Sequence, residues 1–262
     1  MPTIPLDFQA CLDGIFHAVR GVPGWLTDRE VECLALFAAC PTATGEILEI
    51  GSHRGRSTIV LARAAALTGQ PHVVAVDPFV LDGPEGAERS GGASPRALLE
   101  ANLIAAGVDH QVELHEAFSQ EVGKTWDRPI RLLWIDGDHT YSGARADLET
   151  FLPFLADGAV VAFHDILHPY PCVRAFREQV VESPYFGPMG ICGSIGWAQF
   201  RADTSQAVDL VAEKRKLARR LRPLEKFGDR RLRGVTKVHY KIRRWLVPHQ
   251  GLDPDQWLRQ VA

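Results

Sequence analysis

The sequence predicts an α/β fold, a mostly parallel sheet with helices on both faces, and three observations carry that prediction. Short apolar runs of strand length recur at 47–50, 73–76, 131–135 and 159–163, as expected of strands buried on both faces. Helical stretches alternate with these runs, which is the order of a parallel sheet joined by crossovers. Polar residues gather where the runs stop: Glu49, Asp77, Asp136, His139, His164 and Asp165. In open α/β sheets ligands collect at the carboxyl ends of the strands.

The first unit, Glu46–Ser57, reads E-I-L-E-I-G-S-H-R-G-R-S. Ile47, Leu48 and Ile50 make the strand, and Glu49 sets a carboxylate where it emerges. Gly51 and Gly55 bracket a tight turn, and Ser57 is the expected N-cap of a helix through Thr58–Ala66. Glycines permit close backbone approach and a helix start offers free N–H groups. Glu49, Gly51, Gly55 and Ser57 are therefore candidates for holding a nucleotide-like ligand. The dinucleotide fingerprint G-x-G-x-x-G fails, because His53 and Arg56 stand where glycines are needed. The Gly-Lys-Ser/Thr of a P-loop is absent as well.

The chain has 262 residues, 46% hydrophobic and 23% charged, enough for one large α/β domain with additions. A net charge of −3 hides an uneven distribution. Fourteen of the 29 basic residues lie between Lys214 and Arg244, where Glu225 and Asp229 are the only acids. Cys11, Cys33, Cys40, Cys172 and Cys192 are odd in number, scattered and without a C-x-x-C, so neither a disulfide framework nor a zinc site is indicated. No basic-then-apolar leader opens the chain, and no run reaches the ~18 apolar residues of a membrane span. A cytoplasmic protein is expected.

Residues 5–40 read as two helices, the second opened by the capping box Thr27-Asp28-Arg29-Glu30. They are expected to cover a sheet edge or build an interface, without chemistry of their own. His72–Asp77 is the second buried strand. Asp77, 26 residues beyond Gly51, stands where an acid accepts hydrogen bonds from ribose hydroxyls; a helix-capping Asp is the alternative. Residues 79–96 are rich in Gly, Ser and Pro and read as a loop near the ligand, with a helix over Pro95–Ala106 after it. Gln111–His115 is the third strand, followed by Glu116-Ala117-Phe118-Ser119. The fourth, Arg131–Ile135, runs into Asp136-Gly137-Asp138-His139-Thr140-Tyr141, and the fifth, Ala159–Phe163, ends in His164-Asp165.

Two of these patterns carry a family resemblance. E-x-G-x-x-x-G-x-S at 49–57 resembles the first motif of class I S-adenosylmethionine (SAM)-dependent methyltransferases. I-D-G-D-H-T-Y, with F-H-D one helix and strand later, is similar to the metal-assisted O-methyltransferases of small-molecule and sugar hydroxyls, the macrolide-sugar group in particular. The resemblance covers roughly residues 45–200. It implies a Rossmann-like class I sheet closed by an antiparallel hairpin, with Ser194–Phe200 as its last strand and Met189–Gly193 lining the acceptor entrance. It implies SAM as cofactor, with Phe118 and Ser119 beside the adenine. It also implies a divalent metal, Mg²⁺ or Mn²⁺, on Asp136, His164 and Asp165, and His139 as general base. His164 departs from the acid–acid or Asp–Asn pair usual there, and imidazole suits Mn²⁺, Fe²⁺ or Zn²⁺ better than Mg²⁺. Either the ion is a softer one, or His164 stands behind the ligands, or no ion binds.

Chemistry asks for the same parts. Methyl transfer from a sulfonium is an in-line displacement, so acceptor oxygen, methyl and sulfur must be aligned and the acceptor's proton removed. An alcohol is a poor nucleophile near neutrality, which calls for a metal or a histidine. The expected organisation is a helical segment 1–42, a SAM-binding domain 43–203 and a basic helical extension 204–262. The tail Val211–Trp245 alternates Arg and Lys with Leu217, Leu221, Leu224, Leu232, Val235, Val238, Ile242 and Trp245, with breaks at Pro223, Gly228 and Gly234. It packs on its own domain or a sister subunit, or touches anionic lipid; RNA is disfavoured because no stacking aromatics interleave the charges. The expected function is O-methylation of a sugar or glycoconjugate hydroxyl, in a homodimer that does not bind nucleic acid. The alternatives are a non-sugar small-molecule acceptor, an RNA methyltransferase, and a SAM-binding protein without catalysis.

Overall fold

The computed structural model describes residues 2–70, 72–80, 93–204, 210–228, 232–249 and 251–261. The apolar runs become strands β1 (Glu46–Ile50), β2 (Val73–Val76), β3 (Val112–His115), β4 (Ile130–Ile135) and β5 (Leu155–Phe163). With β6 (Phe186–Cys192) and β7 (Ile195–Phe200) they form one sheet in the order β3-β2-β1-β4-β5-β7-β6. The first five strands run parallel, while β7 pairs antiparallel with β5 and β6 antiparallel with β7. This is the Rossmann-like class I sheet expected from the sequence.

The sheet grows outward from β1 through β2 to β3, then resumes on the other side of β1 with β4. The crevice between the carboxyl ends of β1 and β4 is thus the switch point where such sheets hold ligands.

Helices cover both faces. On one side α1 (Phe8–Val19), α2 (Asp28–Ala39), α3 (Arg56–Ala65) and α4 (Pro95–Ala106) pack Leu34, Phe37, Ile59, Leu61 and Leu103 against Ile47, Trp134 and Trp197. On the other, α5 (Ser119–Gly123), α6 (Tyr141–Phe151), α7 (Cys172–Phe176) and α8 (Val211–Leu221) set Phe151, Phe176 and Leu221 against Leu48, Leu133 and Phe163. Each such fully buried side chain contributes about 1.5–3 kcal/mol. Beyond α8 come α9 (Gly234–Trp245) and α10 (Pro254–Val261). Helix α10 returns to the N-terminal face, where the Trp257 indole donates to the Cys40 carbonyl at 3.2 Å. All five cysteines are free, and among the described residues no helix is long and apolar enough to cross a membrane.

Two local expectations are corrected. Strand β5 begins at Leu155, not Ala159, because Gly158 at φ +84° lets the chain bend under Thr42 without ending the strand. The sequence predicts a helix over Val173–Val181, and the stretch is α-helical only to Phe176. It then widens into a π turn at Arg177–Val181, where buried Arg177 reaches Glu182 and Glu225. Met189–Cys192, within the stretch expected to line the acceptor entrance, belongs to β6, the outer edge strand. Gly234, an expected break in the tail, is where α9 begins. The Gly-rich run Gly83–Gly86 and the run Ser90–Gly92 lie outside the described residues.

Candidate active site

The turn after β1 is where two backbones meet. Gly51 has φ +89°, and a Cβ there would collide with the Asp136 carbonyl at the end of β4. Gly55, at φ +85°, is the N-cap of α3, so the helix starts at Arg56 and Ser57 lies inside its first turn. The N-cap expected at Ser57 is thereby corrected: a left-handed glycine already closes the turn. Ser57 and Glu49 are buried behind it. Glu49 Oε2 accepts from Thr58 Oγ1 at 2.5 Å, while Oε1 has no hydrogen-bond partner. Burial pushes the Glu49 carboxyl up to about 7, against the hydroxyls of Ser57 and Thr58. Both residues shape the turn from inside.

Asp77 ends β2 and reaches across to that turn. Its Oδ2 accepts from the backbone N–H groups of Ser52 at 2.9 Å and His53 at 2.8 Å, and its Oδ1 from Phe79 N–H at 2.7 Å. A carboxylate has about four acceptor positions, so roughly one is left for a ribose hydroxyl. Among the described residues only His53 (φ +45°), Phe79 (φ +52°) and Asp165 (φ +58°) hold a left-handed backbone without being glycine. Each follows a strand at the carboxyl edge, where strained backbone is a mark of functional sites.

Phe118, at the end of the connection from β3, is 53% exposed and therefore free to meet a ligand. Ser119 is not: its hydroxyl is buried and donates to Asp147 of α6. Burial raises the Asp147 carboxyl to about 6, with Ser119 and Gln120 bonding it from the other side.

Beyond β4 and β5 the expected acids and histidines converge. His139 Nε2 lies 3.5 Å from Asp136 Oδ1 and 3.4 Å from Asp165 Oδ2. His164 Nδ1 is 3.0 Å from the same Asp136 oxygen and 3.5 Å from Asp165 Oδ1. Burial disfavours charge on His139, but Asp136 and Asp165 outweigh it and raise its pKa. The same balance holds His164 far above the ordinary histidine value. Asp136 is half-buried, and desolvation pulls its pKa up, yet the two imidazoles outweigh this and lower it.

Three further residues border this cluster outside the expected site set. Glu30, in a helix expected to do no chemistry, stands 3.7 Å from His164 Nε2, an ion-pair contact beyond hydrogen-bond reach. Its carboxylate also takes Ser194 N–H and Oγ, each at 2.6 Å, and the Thr27 backbone at 2.8 Å. These bonds outweigh its burial and hold Glu30 far below the carboxylate range. His168 Nδ1 lies 2.7 Å from Asp165 Oδ1, and the Tyr170 ring sits 4.9 Å from that of His139. Only the capping box pointed at Glu30, and it gave a local reason for the residue.

Among the described residues no group of three or more His, Cys, Asp and Glu side chains is arranged as a metal cluster as it stands. Within the expected set of Asp136, His164 and Asp165, His164 Nδ1 pairs with Asp136 at 3.0 Å while its Nε2 faces Glu30 at 3.7 Å, so the buried ring stands as a counter-ion between two carboxylates. Asp165 Oδ1 and His139 Nε2 sit in ion-pair contacts, the first with His168 Nδ1 at 2.7 Å and the second with the Asp136 and Asp165 carboxylates at 3.5 and 3.4 Å.

Comparison with known proteins adds the following. Residues 48–166 match a family described as a methyltransferase domain. Protein y4gI of Sinorhizobium fredii is 29% identical over 131 residues, a match that takes in 45% of this chain. The chain spans 13% of the length of that relative. The O-methyltransferase NovP superposes with a TM-score of 0.58 at 16% identity, over 75% of this chain and 98% of its own. TomG of Streptomyces achromogenes, an O-methyltransferase solved with SAM, gives 0.52 at 23% identity, over 73% and 90%. An O-methyltransferase of Bacillus cereus solved with SAH gives 0.51 at 20%, over 72% and 90%. These three are likenesses of fold.

Proposed function

Starting from a chain whose residues 48–166 carry a methyltransferase domain, we propose that this protein transfers the methyl group of SAM to a hydroxyl oxygen. One observation carries the reading. The glycine turn tied to Asp77 and the Asp136–His139–Asp165 cluster occupy the same sheet edge, on either side of the β1/β4 crevice. A nucleoside held on the first side presents its substituent to the second.

SAM supplies an activated methyl on a sulfonium; this chain aligns and deprotonates. Gly51 lets the ligand approach the backbone, Asp77 offers its remaining lone pair to a ribose hydroxyl, and Phe118 offers an exposed ring to the adenine. When bound, SAM would give its methyl to the acceptor oxygen and keep the carbon–sulfur electron pair, and the hydroxyl proton would pass to His139 Nε2. Asp136 and Asp165 then stabilise the imidazolium that forms, which is the direction in which they already shift the ring. We place the acceptor on a sugar or glycoconjugate, because the Asp136-Gly137-Asp138-His139 arrangement resembles the sugar-acting group more than the catechol-acting one. The test is transfer of an isotope-labelled methyl from SAM to a panel of sugar and phenolic hydroxyls, read by NMR. A labelled methoxy on a sugar is expected. Label on a phenol moves the acceptor class, and label on RNA overturns the reading.

A second reading adds a divalent ion, and the convergence of the Asp136 and Asp165 carboxylates on His139 favours it. Asp136, Asp165 and His139 would hold the ion, which would lower the pKa of the acceptor hydroxyl. A mixed carboxylate and imidazole set suits Mn²⁺ or Zn²⁺ better than Mg²⁺. Under this reading, exhaustive chelation abolishes turnover and Mn²⁺ restores it. Full turnover after chelation, with no metal by elemental analysis, leaves the histidine alone.

A further inference from the structure

Helix α9 presents an apolar stripe to solvent that the site does not use. Val235 is 85% exposed, Val238 57%, Ile242 53% and Trp245 76%, and Leu246 adjoins them just past the helix end. At the helical period these five fall within an arc of about 100°. Tyr240 lies roughly opposite that arc and is buried, its hydroxyl donating to the Leu167 carbonyl between Asp165 and His168. Phe227 packs against both His239 and Tyr240. The helix is thus fixed to the body by one face and turns its apolar face outward.

Charge decides what can cover it. Lys237 and Lys241 border the stripe on one side and Arg243 on the other, with Arg233 and Arg244 behind, and no acid occurs between Arg233 and Pro248. A second copy laid stripe to stripe would bring cations against cations. Stacked nucleic-acid bases would find one exposed indole. An anionic bilayer satisfies every feature at once: valines and isoleucine below the headgroups, the Trp245 indole at their level, and basic side chains on the phosphates. We propose that α9 is an interfacial helix that seats this protein on an anionic lipid surface. Docking in this way sets the loop of Asp165 and His168 about one helix diameter, roughly 10 Å, from the headgroups.

The test is cosedimentation of the full chain with phosphatidylcholine vesicles, with and without about a third phosphatidylglycerol. Binding to the anionic vesicles at low salt is expected, with release at high salt and little binding to pure phosphatidylcholine. Ile242→Asp and the double variant Lys237→Glu/Lys241→Glu alter exposed positions, so their melting curves should match wild type. Each should weaken vesicle binding by about tenfold or more. Failure of the wild type to bind anionic vesicles overturns the proposal, as does binding that neither variant reduces. A dimer that Ile242→Asp dissociates, without vesicle binding, assigns the stripe to a second copy instead.

Discussion

Replacing Asp77 by Asn should cost stability and cofactor affinity together, and the size of the loss follows from three distances. Oδ2 takes Ser52 N–H at 2.9 Å and His53 N–H at 2.8 Å, and Oδ1 takes Phe79 N–H at 2.7 Å, all in a buried setting. Two of those donors belong to residues with a left-handed backbone, a conformation costing about 1–3 kcal/mol each unless surroundings hold it. An Asn carbonyl in the Oδ2 place keeps two bonds as weaker neutral ones and turns an NH₂ against Phe79 N–H. Losing one charge-assisted bond of about 1.5–3 kcal/mol and weakening two others gives roughly 3 kcal/mol. For a chain of this size that lowers Tm by about 6–12 °C. SAM affinity should fall by about 1.5–3 kcal/mol as the turn loosens and the ribose contact goes. Differential scanning calorimetry and titration calorimetry read the two effects. A folded Asp77→Asn protein with unchanged Tm and unchanged SAM affinity would refute the reasoning.

His139→Ala should lower kcat by about 10²–10⁴-fold with SAM affinity nearly untouched. Because its carboxylate neighbours raise the ring, the rising limb of the wild-type pH–rate profile should lie above the ordinary histidine pKa and vanish in the variant. Near-normal kcat with the same profile would make His139 structural. Glu49 bears on stability against pH. Its carboxyl moves from an unfolded value of 4.5 up to about 7 on folding. The neutral form's contribution is therefore fully present below about 4.5 and lost as pH rises through 7, on the order of 3 kcal/mol. Glu49→Gln, which stays neutral and keeps its place beside Thr58, should flatten that fall in Tm between pH 5 and 8. A wild-type Tm that rises over the same interval would contradict the burial of a protonated Glu49.

The sheet was legible because a strand buried on both faces leaves an unbroken apolar run, and each run stops at the edge where function sits. Asp77, Asp136, His139 and Asp165 were marked as candidates from strand ends, and the fold gathers them at one sheet edge. Ser57 misled because a hydroxyl beside a helix start looks like a cap, whereas Gly55 can take the left-handed turn that Ser57 would resist. Ser119, set beside the adenine by the resemblance, has its hydroxyl drawn to Asp147 on another helix, a partner no local pattern reveals. Glu30 could not be found at all. Its local partner, Thr27, explains it completely in the sequence. Only the fold brings β5 and the β6–β7 turn to α2, setting His164 and Ser194 against the same carboxylate.

The claim that SAM lies in the β1/β4 crevice is tested most directly by titrating S-adenosylhomocysteine into wild type and Gly51→Ala by calorimetry. Wild type should bind one equivalent. The added Cβ cannot avoid the Asp136 carbonyl at φ +89°, so binding should be lost in a variant that still melts cooperatively. Equal affinity in the two proteins, or none in the wild type, would contradict the placement.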